Sequence, residues 1–266
     1  MDQYIAQLLA FSHQYSGDAI SCMVLLLSLI LLLVAWKSFG IVGLYVFQIV
    51  ALISANIQVL GMGSTFFSPE PIALGTIAFS TTYVAEDIIN QHGGIKAANR
   101  GVWLGLMAQL MFSFVMLSAL AYKPEHGDAV HEALSLLFVP SVRLMCASLC
   151  AYCCSHFLNV RLFAFVRARF AHYPAWVCAG LSGWSATVVD HFLFSWLAWK
   201  VLATDGMEWR ILWYSYFLPS LVPRILIALC VAPVISLSYK WRNESSLTPR
   251  FAGPSPLRGE GFDHIG

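Results

Sequence analysis

Charge is what this chain is short of. Only 11% of its 266 residues are Asp, Glu, Lys or Arg, against roughly 25% in a soluble domain. With 59% hydrophobic residues, a water-soluble fold would carry wide apolar patches and aggregate, so a soluble globular protein is excluded. A formal net charge of +1 leaves no basic stripe for a nucleic acid. Catalytic signatures are missing too. There is no G-x-S-x-G, no H-E-x-x-H, no paired intramembrane aspartate motif and no Walker A, so the chain is not read as an enzyme. The seven cysteines stand in apolar stretches, which argues for small buried thiols and against a disulfide framework. Cys153, Cys154, His156 and His191 are zinc-ligand types, but their spacing fits no zinc pattern; no metal or cofactor is expected. Met1–Ile20 lacks the basic start of a cleavable signal peptide.

What the chain has instead is long greasy runs, with a mean hydropathy of +0.71. A helix crossing the hydrocarbon needs about 20 mainly apolar residues. Ala19–Trp36, Ile41–Leu60, Ile72–Ile89, Val102–Tyr122, Pro140–Val160, Ala175–Trp199 and Ile211–Ser238 qualify. They lack the alternation of a β-barrel, so helices are the reading. The expected fold is an all-α polytopic membrane bundle of about seven transmembrane helices. The third stretch is the weakest, being Thr- and Ser-rich and entered through SPEP at Ser68–Pro71. Ala133–Val139 reads as an outward extension of the fifth helix before Pro140.

Placing the first loop in the cytoplasm puts Lys37, Lys96, Arg100, Arg161, Arg167, Arg169, Lys240, Arg242, Arg250 and Arg258 inside. Lys123, Lys200 and Arg210 are then outside, which satisfies the positive-inside rule. The expected N-terminus is outside and the C-terminus cytoplasmic, in a multi-pass plasma-membrane protein. Residues 243–266 are Gly-, Pro- and Ser-rich and read as a flexible cytoplasmic tail.

Polar side chains inside these spans need explaining, because a charge at mid-bilayer costs about 3 kcal/mol on insertion scales. They are Asn56, Glu86, Asp87, Asn90, Arg143, His156, Asn159, Asp190, His191 and Arg224. At 100° per residue, Ser148, Tyr152, Ser155, His156 and Asn159 fall on one stripe of the fifth helix. Such a stripe lines a cavity or hydrogen-bonds to neighbouring helices. Asp190 is expected to pair with Arg224 or Arg143. Glu86 and Asp87 lie near a helix end, where simple exposure is an equal alternative. A helix–helix bond is the plainer role for His191.

Five local patterns, in this order, carry a family resemblance: SAN (Ser54–Asn56), AEDIINQHGG (Ala85–Gly94), RLMCASLCAYCCSHFLNV (Arg143–Val160), SATVVDHFLF (Ser185–Phe194) and PRILIALCVAPVISLSY (Pro223–Tyr239). Over roughly Leu44 to Trp241 the chain resembles the queuosine-precursor transporters, once grouped with vitamin uptake transporters. Asp87, Asn90, Gly94, Arg143, Ser148, Tyr152, Ser185 and Asp190 fit the family's patterns. Gln91, His156, Asn159 and Arg224 stand where the family usually has other polar groups. The resemblance implies a six-helix core, here 41–242, preceded by an extra helix within 1–40. It implies import of a 7-deazaguanine-type base or queuine across the bacterial inner membrane.

The substrate set that polarity and resemblance together imply is Asn56, Asp87, Asn90, Arg143, Ser148, Tyr152, His156, Asn159, Ser185, Asp190 and Arg224. Amide and carboxylate groups would read the edge of the base. Tyr152, Phe192, Phe194 and Trp184 would supply a stacking face, and if uptake is proton-coupled, Asp190 or Asp87 would carry the proton. The expected partners are a nucleobase-like small molecule and the lipid bilayer, with no nucleic acid; a homo-oligomer stays open. The alternatives are a substrate-binding subunit of an energised importer, a membrane scaffold and a lipid-acting enzyme.

Overall fold

The computed structural model describes residues 4, 5, 7, 16–59, 61–65, 68–124, 128–138, 141–203 and 206–240, with backbone alone at 64, 65, 68–73, 141–143, 215, 216, 219, 220, 239 and 240. The helices are α1 (Gly17–Gln58), α2 (Thr76–Leu120), α3 (Ala129–Phe138), α4 (Ser141–Arg169), α5 (Ala175–Trp196), α6 (Leu218–Val231) and α7 (Val234–Lys240). A two-stranded antiparallel hairpin, β1 (Met62–Thr65) and β2 (Ser68–Ala73), joins α1 to α2. A π-helical turn, Leu197–Val201, extends α5, and a second, Leu212–Phe217, leads into α6 after one helical turn at Trp209–Ile211.

α1 has 42 residues and α2 has 45. At 1.5 Å per residue each would run more than about 60 Å, twice the hydrocarbon thickness. Both are broken by glycine: Gly40 (φ 59°, ψ −139°) and Gly94 (φ 76°, ψ 175°) leave the helical region. A positive φ carries no Cβ penalty at glycine. The contacts show that the chain turns back at Gly94. Before it, α2 meets α1 in opposite order, Gln48 bonding Glu86 and Ala55 touching Gly75. After it, α2 follows α1 in the same order, Tyr45 bonding Ala97 and Leu52 lying by Gly105. The halves 17–39, 41–58, 76–93 and 95–120 therefore correspond to the first four expected spans.

The third span begins later than expected. Ile72 and Ala73 lie in β2, and helix starts at Thr76. Pro69 and Pro71 lack backbone donors and drive the residues before them toward extended conformations, so the chain closes a hairpin there. Ala133–Val139 does not prolong the next helix. Its described part belongs to the separate α3, whose first turn is capped by Asp128, Oδ1 accepting from the amides of Val130 and His131; Val139 and Pro140 lie outside the described residues. The last stretch is not one helix but a π turn, α6 with Pro223 inside it, and α7 after a break at Ala232–Pro233. The tail, 243–266, lies outside the described residues.

Leu32, Trp36, Leu44, Ile88, Val102 and Ile235 are fully buried. The expected extra helix, the first half of α1, is fastened to α7 and α2. The Trp36 indole donates to the Ser238 carbonyl at 3.0 Å and stacks on His92 at 4.7 Å. Small residues let helices approach where no hydrophobic drive exists between them; Gly101 faces Gln48 and Tyr45, and Gly105 faces Tyr152. The outer faces are apolar, as with Leu27, Ile30 and Val34 on α1 and Trp103, Met107, Met111 and Phe114 on α2. Five of the cysteines, Cys22, Cys146, Cys150, Cys154 and Cys230, are exposed rather than buried. In a bilayer a thiol sits as well on the lipid face as in the core, which is why burial was the wrong expectation. Among the described residues four helical stretches are long and apolar enough to cross a membrane: Gly17–Gln58, Thr76–Leu120, Leu144–Arg169 and Leu221–Ser238. α5 has 22 residues and is not among these four. The protein is a multi-pass helical membrane bundle.

Candidate functional site

Two helical stripes meet at the centre. On α2, Tyr83, the adjacent Glu86 and Asp87, and Asn90 recur once a turn; on α4, Tyr152, His156 and Asn159 do the same. Glu86 is 0% exposed and Asp87 2%, so exposure at a helix end is not their role. Glu86 is hydrogen-bonded by three side chains. Gln48 Nε2 reaches Oε1 at 2.8 Å, His156 Nδ1 meets the same oxygen at 2.5 Å, and Asn159 Nδ2 lies 3.3 Å from Oε2. The Asn159 amide also reaches Asp87 Oδ1 at 3.1 Å and so bridges the two carboxylates. Aromatic rings enclose the imidazole: Tyr83 stacks on it at 4.4 Å, Tyr152 lies tilted at 4.1 Å, and Phe79 meets it edge-on at 5.3 Å.

Toward the hairpin end of the bundle lies a hollow of ≈ 450 Å³ counted to its open mouth, within which the centre of a water molecule can range over ≈ 50 Å³. Asn56, Phe79, Ser148, Asp190, Phe194 and Arg224 line it, drawn from α1, α2, α4, α5 and α6. Ser148 Oγ donates to Asn56 Oδ1 at 3.1 Å, and Ser155 Oγ donates to Asp190 Oδ1 at 3.0 Å. Asp190 is 7% exposed, and Arg224 lies within electrostatic range of it. Among the described residues no direct Asp190–Arg224 ion pair is closed, and Arg224 Nε is buried without a hydrogen-bond partner. At the opposite end, Asn90, Gln91, Lys96, Phe163 and Arg167 line a second, wider hollow. Arg167 Nε donates to Gln91 Oε1 there at 3.1 Å.

The expected residues therefore sort into groups. Asn56, Ser148, Asp190 and Arg224 share the hairpin-end hollow. Asp87, His156 and Asn159 form the central network, with Tyr152 against its imidazole and bonded through its hydroxyl to the Val102 carbonyl. Asn90 Nδ2 holds the Val160 carbonyl at 2.7 Å and lines the opposite hollow. Ser185 joins neither, since its hydroxyl bonds the Leu181 carbonyl of its own helix. The Arg143 side chain lies outside the described residues. Of the expected stacking residues, Phe194 reaches the hollow, Trp184 is 43% exposed on the outer face, and Phe192 packs on Trp213 and Phe217. His191 bonds the Phe217 carbonyl at 3.2 Å and stacks on that ring, a helix–helix contact. Gln48, Phe79 and Tyr83 escape the sequence reading. An amide eight residues before Asn56 in the same apolar stretch was the available signal for Gln48; aromatics in apolar runs give none. Among the described residues no cluster of His, Cys, Asp and Glu is set up for a metal.

Comparison with known proteins follows the same lines. A family model described as "Putative vitamin uptake transporter" matches residues 73–238. The chain is 28% identical over 205 residues to a Bacillus subtilis (strain 168) protein described as "Probable queuosine precursor transporter", covering 77% of this chain and 86% of that protein. No solved structure matches.

Proposed function

Because the chain belongs to the vitamin uptake transporter family, we propose that it is a membrane transporter that carries a queuosine precursor, a 7-deazaguanine-type base or queuine, into the cell. The observation that carries this reading is the convergence of Asn56, Ser148, Asp190 and Arg224, from four helices, on one hollow edged by Phe79 and Phe194. An amide, a carboxylate and a guanidinium offer donors and acceptors to the edge of a flat heterocycle, as side chains do for purines, and the rings offer faces for stacking. An aminomethyl substituent, cationic at neutral pH, would find its counter-ion in Asp190. We place the base in this hollow and the Glu86 network beneath it. A water takes about 30 Å³ in the liquid, so the hollow in this conformation suits waters, and a base enters as the helices part. Alternation between the two hollows then exposes the site to each side in turn. The positive-inside distribution supports a cytoplasmic position for the opposite hollow, with Lys96 and Arg167.

The test is uptake of radiolabelled queuine by vesicles containing the purified chain alone. Wild type takes up the label without an ATPase partner. Asp190→Asn and Arg224→Gln each lower uptake about tenfold or more, since a lost hydrogen bond to a charged group is worth about 1.5–3 kcal/mol and 1.4 kcal/mol is tenfold. Normal uptake in both variants removes the hollow from the mechanism. No uptake by wild type overturns the free-standing permease.

A further inference from the structure

We infer that the buried Glu86–His156 pair is a proton-binding site that couples proton movement to passage of the base. This rests on the transport reading above and deepens it. The first argument is charge. Glu86 and Asp87 are adjacent and almost wholly buried, and His156, 0% exposed, is the one group hydrogen-bonded to them among the described residues that can become a cation. Two carboxylates facing one imidazole in an apolar interior hold an excess of negative charge unless protonated, and an unpaired buried charge costs several kcal/mol. The network is therefore built to keep at least one proton.

The second argument is geometry. His156 Nδ1 and Glu86 Oε1 are 2.5 Å apart, so one proton serves both the imidazolium–carboxylate form and the imidazole–carboxylic acid form across a single hydrogen bond. Tyr83 and Tyr152 present their rings to the imidazole, which favours a cation between them. His156 Nε2 is buried with no hydrogen-bond partner among the described residues; it is the atom at which a proton can enter or leave.

The third argument is continuity between the two hollows. Ser155, next to His156, holds Asp190 on the hairpin-end side, and Asp190 lies within electrostatic range of the imidazole. On the other side Asn159 links Glu86 to Asp87, and Asn90, one turn further, lines the opposite hollow. The groups around the imidazole are Gln48 from α1, Tyr83, Glu86 and Asp87 from α2, Tyr152, Ser155 and Asn159 from α4, Asp190 from α5 and, beyond it, Arg224 from α6. A base engaging Asp190 changes the field at His156 and with it the hold on the proton. One proton enters with the base and leaves on the far side, and no bond of the base is made or broken.

The probe is the uncharged cyano-substituted deazaguanine, labelled, in vesicles of the purified full chain. Two readouts are taken: counterflow without a pH gradient, and accumulation with the interior about one unit more alkaline. For one proton per base that gradient sustains up to about tenfold accumulation, 1.4 kcal/mol being tenfold. Wild type should show both. Glu86→Gln and His156→Gln should show counterflow but no accumulation beyond equilibrium. Counterflow without gradient-driven accumulation in wild type overturns the coupling and leaves transport standing. Accumulation retained in both variants overturns the assignment to this pair. Absence of wild-type counterflow overturns the transport reading, and the coupling with it. If neither variant is active, a pH-indicator dye decides on wild type in weak buffer: a proton taken up or released when the cyano base is added supports the site, and no pH change overturns it.

Discussion

Glu86 takes three hydrogen-bond partners from two other helices and has no water-exposed surface, so each partner is part of the solvation that the bilayer denies it. Removing one leaves a buried acceptor short, and the cost is that of desolvation rather than of an average hydrogen bond. Gln48→Leu should therefore destabilise the bundle by about 1.5–3 kcal/mol, read as a lower unfolding midpoint in detergent. Ser185→Ala, which removes only a bond to its own helix, should be near neutral; equal effects of the two would show that the network adds nothing to stability. The polar stripe of α4 was legible because helical periodicity alone puts Tyr152, His156 and Asn159 together. The burial of Glu86 was not, since depth along the helix depends on where the chain turns and what packs there. Gln48 carries no charge to mark it, and its partner lies 38 residues away.

Elements in this protein are set by glycines acting for two different reasons, and the two can be separated. Gly94 sits at φ 76° and ψ 175°, a region open essentially to glycine alone, and a methyl group on its Cα would meet nothing within 4 Å, so Gly94→Ala costs only conformational strain, about 1–3 kcal/mol. Gly75 has ordinary dihedrals, but a Cβ there would collide with the backbone carbonyl of Ala55. Gly75→Ala must push α1 and α2 apart at the hairpin end, at an overpacking cost of about 1–3 kcal/mol, and it also distorts the hollow that Gly75 helps to line. Uptake should thus fall more in Gly75→Ala than in Gly94→Ala at matched expression. The reverse order would mean that the turn at Gly94, not the Ala55–Gly75 contact, sets the site. The breaks between spans could be read from where apolar runs ended. The hairpin could not, because Ile72 and Ala73 are as apolar as the helix that follows, and the two prolines of SPEP decide the local structure.

For the molecule as a whole, composition alone required a bilayer, and the spacing of apolar runs required several crossings. What composition could not supply was which faces meet, since helices of similar greasiness pack in many arrangements until Glu86, His156, Asn159 and Asp190 find partners. The arrangement found puts one hollow at the hairpin end and another at the Gly94 end, with the buried network between them. That separation has a consequence for labelling. In a background with all seven native cysteines replaced by alanine, Val59→Cys lies in the first hollow and Lys96→Cys in the second. A membrane-impermeant thiol reagent added to intact cells should label the Val59→Cys variant and spare the Lys96→Cys variant. With inside-out vesicles the pattern should invert, because Lys37, Lys96, Arg100, Arg161, Arg167 and Arg169 crowd the Gly94 end and such residues stay cytoplasmic. Addition of queuine should slow labelling at Val59→Cys, which shares its hollow with Asp190 and Arg224. Labelling of both variants from one side would contradict the crossing by residues 76–93 and the two-ended pathway together.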